Sequence, residues 1–125
     1  MNREGGMSSP WSIAVGSFLI VEGAWGLMSP VVFGVLTTNT LHACIHIVLG
    51  IVGIVAGMRG GARGFSTFLG VLLIAVGILR FVPVASDIVV SLLNVNYAVA
   101  YFNIAVGVIS LVIARTSRRE TAVTP

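Results

Sequence analysis

His42 and His46, four residues apart, and Glu22, isolated in an apolar stretch, are the side chains of this sequence best able to do chemistry. On a helix, positions i and i+4 share a face. Both imidazoles can then ligate one metal ion, with Glu22 as a third ligand. The H-x-x-x-H spacing lacks the glutamate of a zinc-protease motif. His46 alone can serve as an axial ligand of a haem or chlorin, whereas two histidines one turn apart cannot flank one macrocycle. A carboxylic acid and histidines in a low dielectric also form a protonatable cavity, the chemistry of a small proton-coupled transporter with Glu22 as the exchanging group. Against these stands a packing role. Glu22 and Arg80 are the only charges within the apolar stretches, and a buried Glu22–Arg80 pair would fix helix register. Asn39, Asn96, Asn103 and the two histidines would then hydrogen-bond between helices. We expect packing, because buried polar groups in membranes more often pack than react. No bound metal or cofactor is expected.

The elements that must position these residues follow from composition. Hydrophobic residues make up 57% of the 125 and charged residues 9%, with a mean hydropathy of +1.06. So few charges cannot cover the surface of a small soluble domain. A soluble enzyme, a disordered chain and a nucleic-acid-binding domain are therefore excluded. The pI of about 10.0 rests on seven arginines and a net charge of only +3. A single cysteine excludes a disulfide framework. Four apolar stretches, about 11–30, 40–58, 65–83 and 96–114, each match the length of a transmembrane helix. The sequence predicts an all-α, four-helix transmembrane bundle forming one domain over 1–125. The first stretch is read as an uncleaved span, with Ser9 or Ser12 as its cap. In a four-span arrangement Arg3, Arg59, Arg63, Arg115, Arg118 and Arg119 share one side, which places both termini in the cytoplasm.

The stretches pair by similarity. The first and third align at an offset of 54, matching Gly16 with Gly70, Ile20 with Ile74 and Gly23 with Gly77. The second and fourth align at 57, matching Asn39 with Asn96, His46 with Asn103 and Gly50 with Gly107. This predicts two parallel two-helix repeats, about 11–58 and 65–114. Glycines at helical spacing (Gly16 and Gly23; Gly50, Gly53 and Gly57; Gly70 and Gly77; Gly107) predict close helix packing. The same stripes would carry Glu22, His42, His46, Arg80 and Asn103 into the outer half of the bundle.

The segment Asn39-Thr-Leu-His42-Ala-Cys-Ile-His46-Ile-Val-Leu-Gly50 resembles the N-x-x-H-x-x-x-H-x-x-x-G signature of a family of small four-helix bacterial membrane proteins, a domain of unknown function. The glycine-rich first span and the Asn96-to-Gly107 block are similar too, so the resemblance covers about 11–114. It implies a fold and a bacterial inner-membrane location, but no activity. Many relatives carry a further histidine in the last span where this chain has Asn103, which weakens a metal or haem role shared by both halves.

The expected function is therefore that of a non-enzymatic accessory or structural subunit in the lipid bilayer. It would associate laterally with a second copy or with a larger membrane complex. The alternatives are a proton-coupled transporter using Glu22 and a haem- or pigment-binding subunit using His46.

Overall fold

The computed structural model describes residues 7–123, with side chains through residue 117. Arg3 therefore lies outside the described residues, and so do the side chains of Arg118 and Arg119, half of the expected cytoplasmic arginines. The fold is all-α. Its helices are α1 (Ser8–Met28), α2 (Thr40–Arg59), α3 (Ala62–Leu79), α4 (Ala85–Leu93) and α5 (Tyr97–Val123). Of these, α1, α2, α3 and the 97–117 part of α5 are long and apolar enough to cross a membrane.

Local chemistry sets the boundaries. Pro10 is accommodated in the first turn of α1, where no intrahelical donor is needed. Contrary to expectation, neither Ser9 nor Ser12 caps that helix; Ser12 is buried instead and donates to the Gly53 carbonyl at 2.6 Å. Gly60 ends α2 in the left-handed region, at φ 91°. Helix α3 stops at Leu79, earlier than the expected 83, so Arg80 stands at its end and not within the span.

The connections at the end of the bundle away from the termini, the outer end in the expected orientation, are more structured than the sequence suggested. Between α1 and α2 lies a small antiparallel hairpin, β1 (Val31–Val32) and β2 (Leu36–Thr37), pairing Val31 with Thr37 and Val32 with Leu36. Between α3 and α5 lies α4. The two connections grip each other. Asn39 Oδ1 accepts from the His42 amide at 2.9 Å, and its Nδ2 reaches the Leu92 carbonyl at 2.8 Å. Asn96 Oδ1 accepts from the Val99 amide at 2.9 Å, and its Nδ2 reaches the Val35 carbonyl at 2.9 Å. Each asparagine thus caps its own helix and ties it to the opposite connection. Replacing Asn39 or Asn96 by Ala should cost about 1–2 kcal/mol from the cap alone, with the lost strap adding to it. An unfolding titration in mixed micelles checks this; a pair of unchanged midpoints would contradict it.

Packing is closest within two helix pairs, α1 with α2 and α3 with α5. A Cβ on Gly16 would lie 2.7 Å from the Gly50 carbonyl oxygen, and one on Gly50 would lie 2.5 Å from that of Gly16. In the second pair, a Cβ on Gly70 would lie 2.9 Å from the Gly107 oxygen, and one on Gly107 would lie 2.8 Å from that of Gly70. Backbones this close give dispersion contact over the whole seam, which drives helix association in lipid. Gly23 and Gly77 repeat the arrangement against the carbonyls of Ala43 and Ala100, at 2.7 and 2.8 Å. Gly53 and Gly57 make room for the Phe65 ring and for Ile13.

Two apolar clusters fill the interior. Val15, Leu19, Phe65, Leu69 and Leu73 pack in the middle and inner part, while Val32, Leu36, Val89, Val95, Val99 and Ala100 seal the outer end.

A buried acid–histidine site in the outer half of the bundle

Glu22 lies six residues before the end of α1, His46 six after the start of α2, and Asn103 six after the start of α5. At 1.5 Å per residue all three stand about 9 Å below the outer helix ends. The glycine-closed seams turn them inward. Glu22, His42, His46 and Asn103 are all buried, at 5–7% exposure.

Glu22 pairs with His46, not with Arg80. The Glu22 Oε1 to His46 Nδ1 distance is 2.9 Å. Arg80, half-buried, points outward from the end of α3. Its Nε donates to the Val95 carbonyl and its Nη1 to Ser86 Oγ, both at 2.7 Å, and its guanidinium lies 4.2 Å from the centre of the Tyr97 ring. The expected Glu22–Arg80 pair is thereby corrected. Once α3 ends at Leu79, the arginine reaches backbone and hydroxyl acceptors nearer the outer rim. The acid is left to the imidazole at its own depth.

His42 Nδ1 lies 3.0 Å from the Leu93 carbonyl at the end of α4. A carbonyl only accepts, so Nδ1 carries the proton and Nε2 presents a bare lone pair. The two imidazoles meet edge to face, with centroids 4.3 Å apart at 75°. Among the described residues, neither histidine Nε2 nor the Asn103 amide has a hydrogen-bond partner.

Two cavities flank the group. One of about 10 Å³, room for roughly one water, touches Glu22, Thr37, Thr38, His42 and His46 under the hairpin. The other, of about 100 Å³, lies between α2 and α3 and is lined by both histidines, Asn103 and apolar side chains that include Ile45, Leu49 and Leu72.

This arrangement can hold one proton between two basic atoms 2.9 Å apart, and it can offer hydrogen bonds to a small guest. As a metal site it is incomplete. Glu22 occupies the Nδ1 side of His46, so it is not a third ligand for an ion on the Nε2 atoms. Among the described residues no three His, Cys, Asp or Glu side chains gather to hold a metal. Cys44 faces outward, away from the group.

The sequence did not point to Leu93, whose carbonyl fixes the His42 tautomer. Its one available signal was the apolar pattern of 85–93 ending in Asn94, which takes the left-handed conformation (φ 53°) that stops α4. A second polar group, at the inner end, also went unread. Ser8 donates to Ser117 Oγ at 2.8 Å, and Trp11 Nε1 to Ser110 Oγ at 3.0 Å.

A family model described as "Domain of unknown function (DUF4383)" matches residues 11–116. No curated protein and no solved structure matches the chain.

Proposed function

The chain belongs to the DUF4383 family, and since that membership carries no activity, we propose from the site itself that it is a non-enzymatic membrane subunit. It sits in the bacterial inner membrane with both termini cytoplasmic and docks laterally on a second copy or on a larger membrane complex. It works without a cofactor of its own. The observation that supports this is the sealed interior. Val15, Leu19, Phe65, Leu69 and Leu73 separate the outer acid–histidine group from the inner serines. Among the described residues that layer is apolar, while Val21, Val48, Val52, Val55, Val71 and Val112 offer exposed apolar faces to lipid or to a partner.

We also propose that the bundle is a duplicated hairpin. The offsets of 54 and 57 that relate the glycines also relate their contacts: Gly16 on Gly50 corresponds to Gly70 on Gly107. The offset of 57 carries Asn39 onto Asn96 and Val35 onto Leu92, so each asparagine bonds to the counterpart of the other's acceptor.

The proton-coupled reading keeps one favourable observation, the Glu22–His46 pair, but requires the Leu19–Leu69 layer to part. The haem or chlorin reading is disfavoured because a macrocycle far exceeds the cavity of about 100 Å³ beside His46.

Native mass spectrometry from a mild detergent extract tests the proposal. A complex of two or more chains is expected, and a bare monomer under conditions that preserve known membrane assemblies overturns it. For orientation, a chain with Cys44 replaced by Ala and a cysteine placed at Asp87 should react with an impermeant thiol reagent from outside. A cysteine at Arg118 should react only after permeabilisation, and the reverse pattern would invert the topology.

A further inference from the structure

We propose that the cavity between α2 and α3 is a binding site for an uncharged, membrane-dissolved ring compound bearing a hydroxyl group, the chemistry of a phenol or a hydroquinone head. This goes beyond the subunit reading and stands whether or not the chain docks on a larger complex.

Three observations lead there. The first is access. Ile45, Leu49 and Leu72 rim the cavity, and Ile45 is 37% exposed on the lipid-facing side of α2. A guest therefore enters from the acyl region, which selects an apolar, uncharged molecule. The second is polarity. His42 Nε2 is an acceptor, since Nδ1 gives its proton to the Leu93 carbonyl. Asn103, 5% exposed, lines the cavity and its amide has no hydrogen-bond partner among the described residues. A buried polar group without a partner is costly. A hydroxyl meets both requirements, donating to His42 Nε2 and accepting from Asn103 Nδ2. A ketone lacks the donor, and a carboxylate brings a charge. The third is size. About 100 Å³ is about a third less than the ~150 Å³ cavity that accommodates benzene in an engineered protein, so a single ring enters in part, hydroxyl first, with its far edge beyond the rim.

The same bundle carries a contrasting groove. Between α1 and α5, a cavity of about 200 Å³ is lined by Trp11, Ala14, Val15, Phe18, Phe102 and Val106. It offers almost no polar surface, so it has no means of preferring a hydroxyl and serves as a built-in comparison.

The test is a ¹⁹F NMR titration of 4-fluorophenol against the full chain in lipid nanodiscs, with empty nanodiscs and fluorobenzene as references. We expect saturable binding of 4-fluorophenol above the empty-disc background. Losing the hydroxyl or its partner should weaken binding about tenfold, the value of one good buried hydrogen bond. Fluorobenzene should therefore bind about tenfold more weakly, as should 4-fluorophenol to Asn103→Leu. Ile45→Phe, at the rim, should close the mouth and abolish the saturable component. Absence of saturable binding to the unmodified chain overturns the proposal. So does binding that is unchanged in Ile45→Phe, which would place the probe in the other groove. Equal affinity for fluorobenzene would leave the polar group without a role and overturn it as well.

Discussion

Replacing His46 by Leu is expected to lower the stability of the bundle by about 2 kcal/mol, within the range for leaving a buried polar group without its hydrogen-bond partner. Glu22 is 6% exposed and its only ion-pair partner among the described residues is His46, at 2.9 Å. Leucine removes that partner and leaves a buried carboxyl group without its hydrogen bond. The loss should shrink by more than half in the double variant Glu22→Leu/His46→Leu, because the uncompensated group is then absent. Glu22→Gln should be mild, since its amide still hydrogen-bonds to Nδ1 of His46. Arg80→Leu should combine additively with Glu22→Leu, because Arg80 bonds to Val95, Ser86 and Tyr97 and not to the acid. Unfolding titrations of these variants in mixed micelles measure all of this. A coupling of 1 kcal/mol or more between positions 22 and 80, on the scale of about 0.5–3 kcal/mol seen for contacting residues, would restore the pairing that the geometry rejects.

The second large effect concerns the helix seams. Gly50→Ala and Gly107→Ala should each destabilise the bundle by about 2 kcal/mol, within the range for overpacking. In both cases the new methyl meets a backbone oxygen, of Gly16 at 2.5 Å or of Gly70 at 2.8 Å, which cannot rotate aside as a side chain can. The helices must separate, and the dispersion contact along the seam falls with distance. Gly64→Ala is the opposite case. That position lies in the first turns of α3, is exposed, and has nothing within 4 Å of the added carbon. There the substitution should be neutral or should stabilise by up to about 1 kcal/mol through helix propensity. Similar losses at positions 50 and 107 would also support the duplicated-hairpin reading; a loss at one position and none at the other would speak against it.

Much of the fold was legible in the chain. Hydropathy marked the four long helices because lipid imposes its demand on consecutive residues. Gly16, Gly50, Gly70 and Gly107 were readable as contact points because helical spacing alone puts them on a face. Asn39 and Asn96 were visible as polar residues that would bond to another element, although their capping of α2 and α5 and the identity of their far acceptors, Leu92 and Val35, were not. A side chain's far partner depends on where another connection passes, and nothing local records that. The hairpin 31–37 and helix α4 fall between the four apolar stretches, where two-residue strands and a nine-residue helix carry little pattern of their own.

The candidate site divides along the same line. Sequence spacing by itself determined that Glu22, His42, His46 and Asn103 would lie inside a four-helix bundle, in the half away from its termini, since hydropathy fixed their depth and the glycine stripes fixed their direction. Only the tertiary structure decided who meets whom. Arg80 lost the acid because α3 ends at Leu79 and the guanidinium finds acceptors nearer the rim. His46 gained it because the Gly16–Gly50 and Gly23–Ala43 contacts bring α1 and α2 close enough for a 2.9 Å hydrogen bond. Pairing between helices depends on their rotation, their separation and the last residue of each, and these are set by packing that no single stretch of sequence contains.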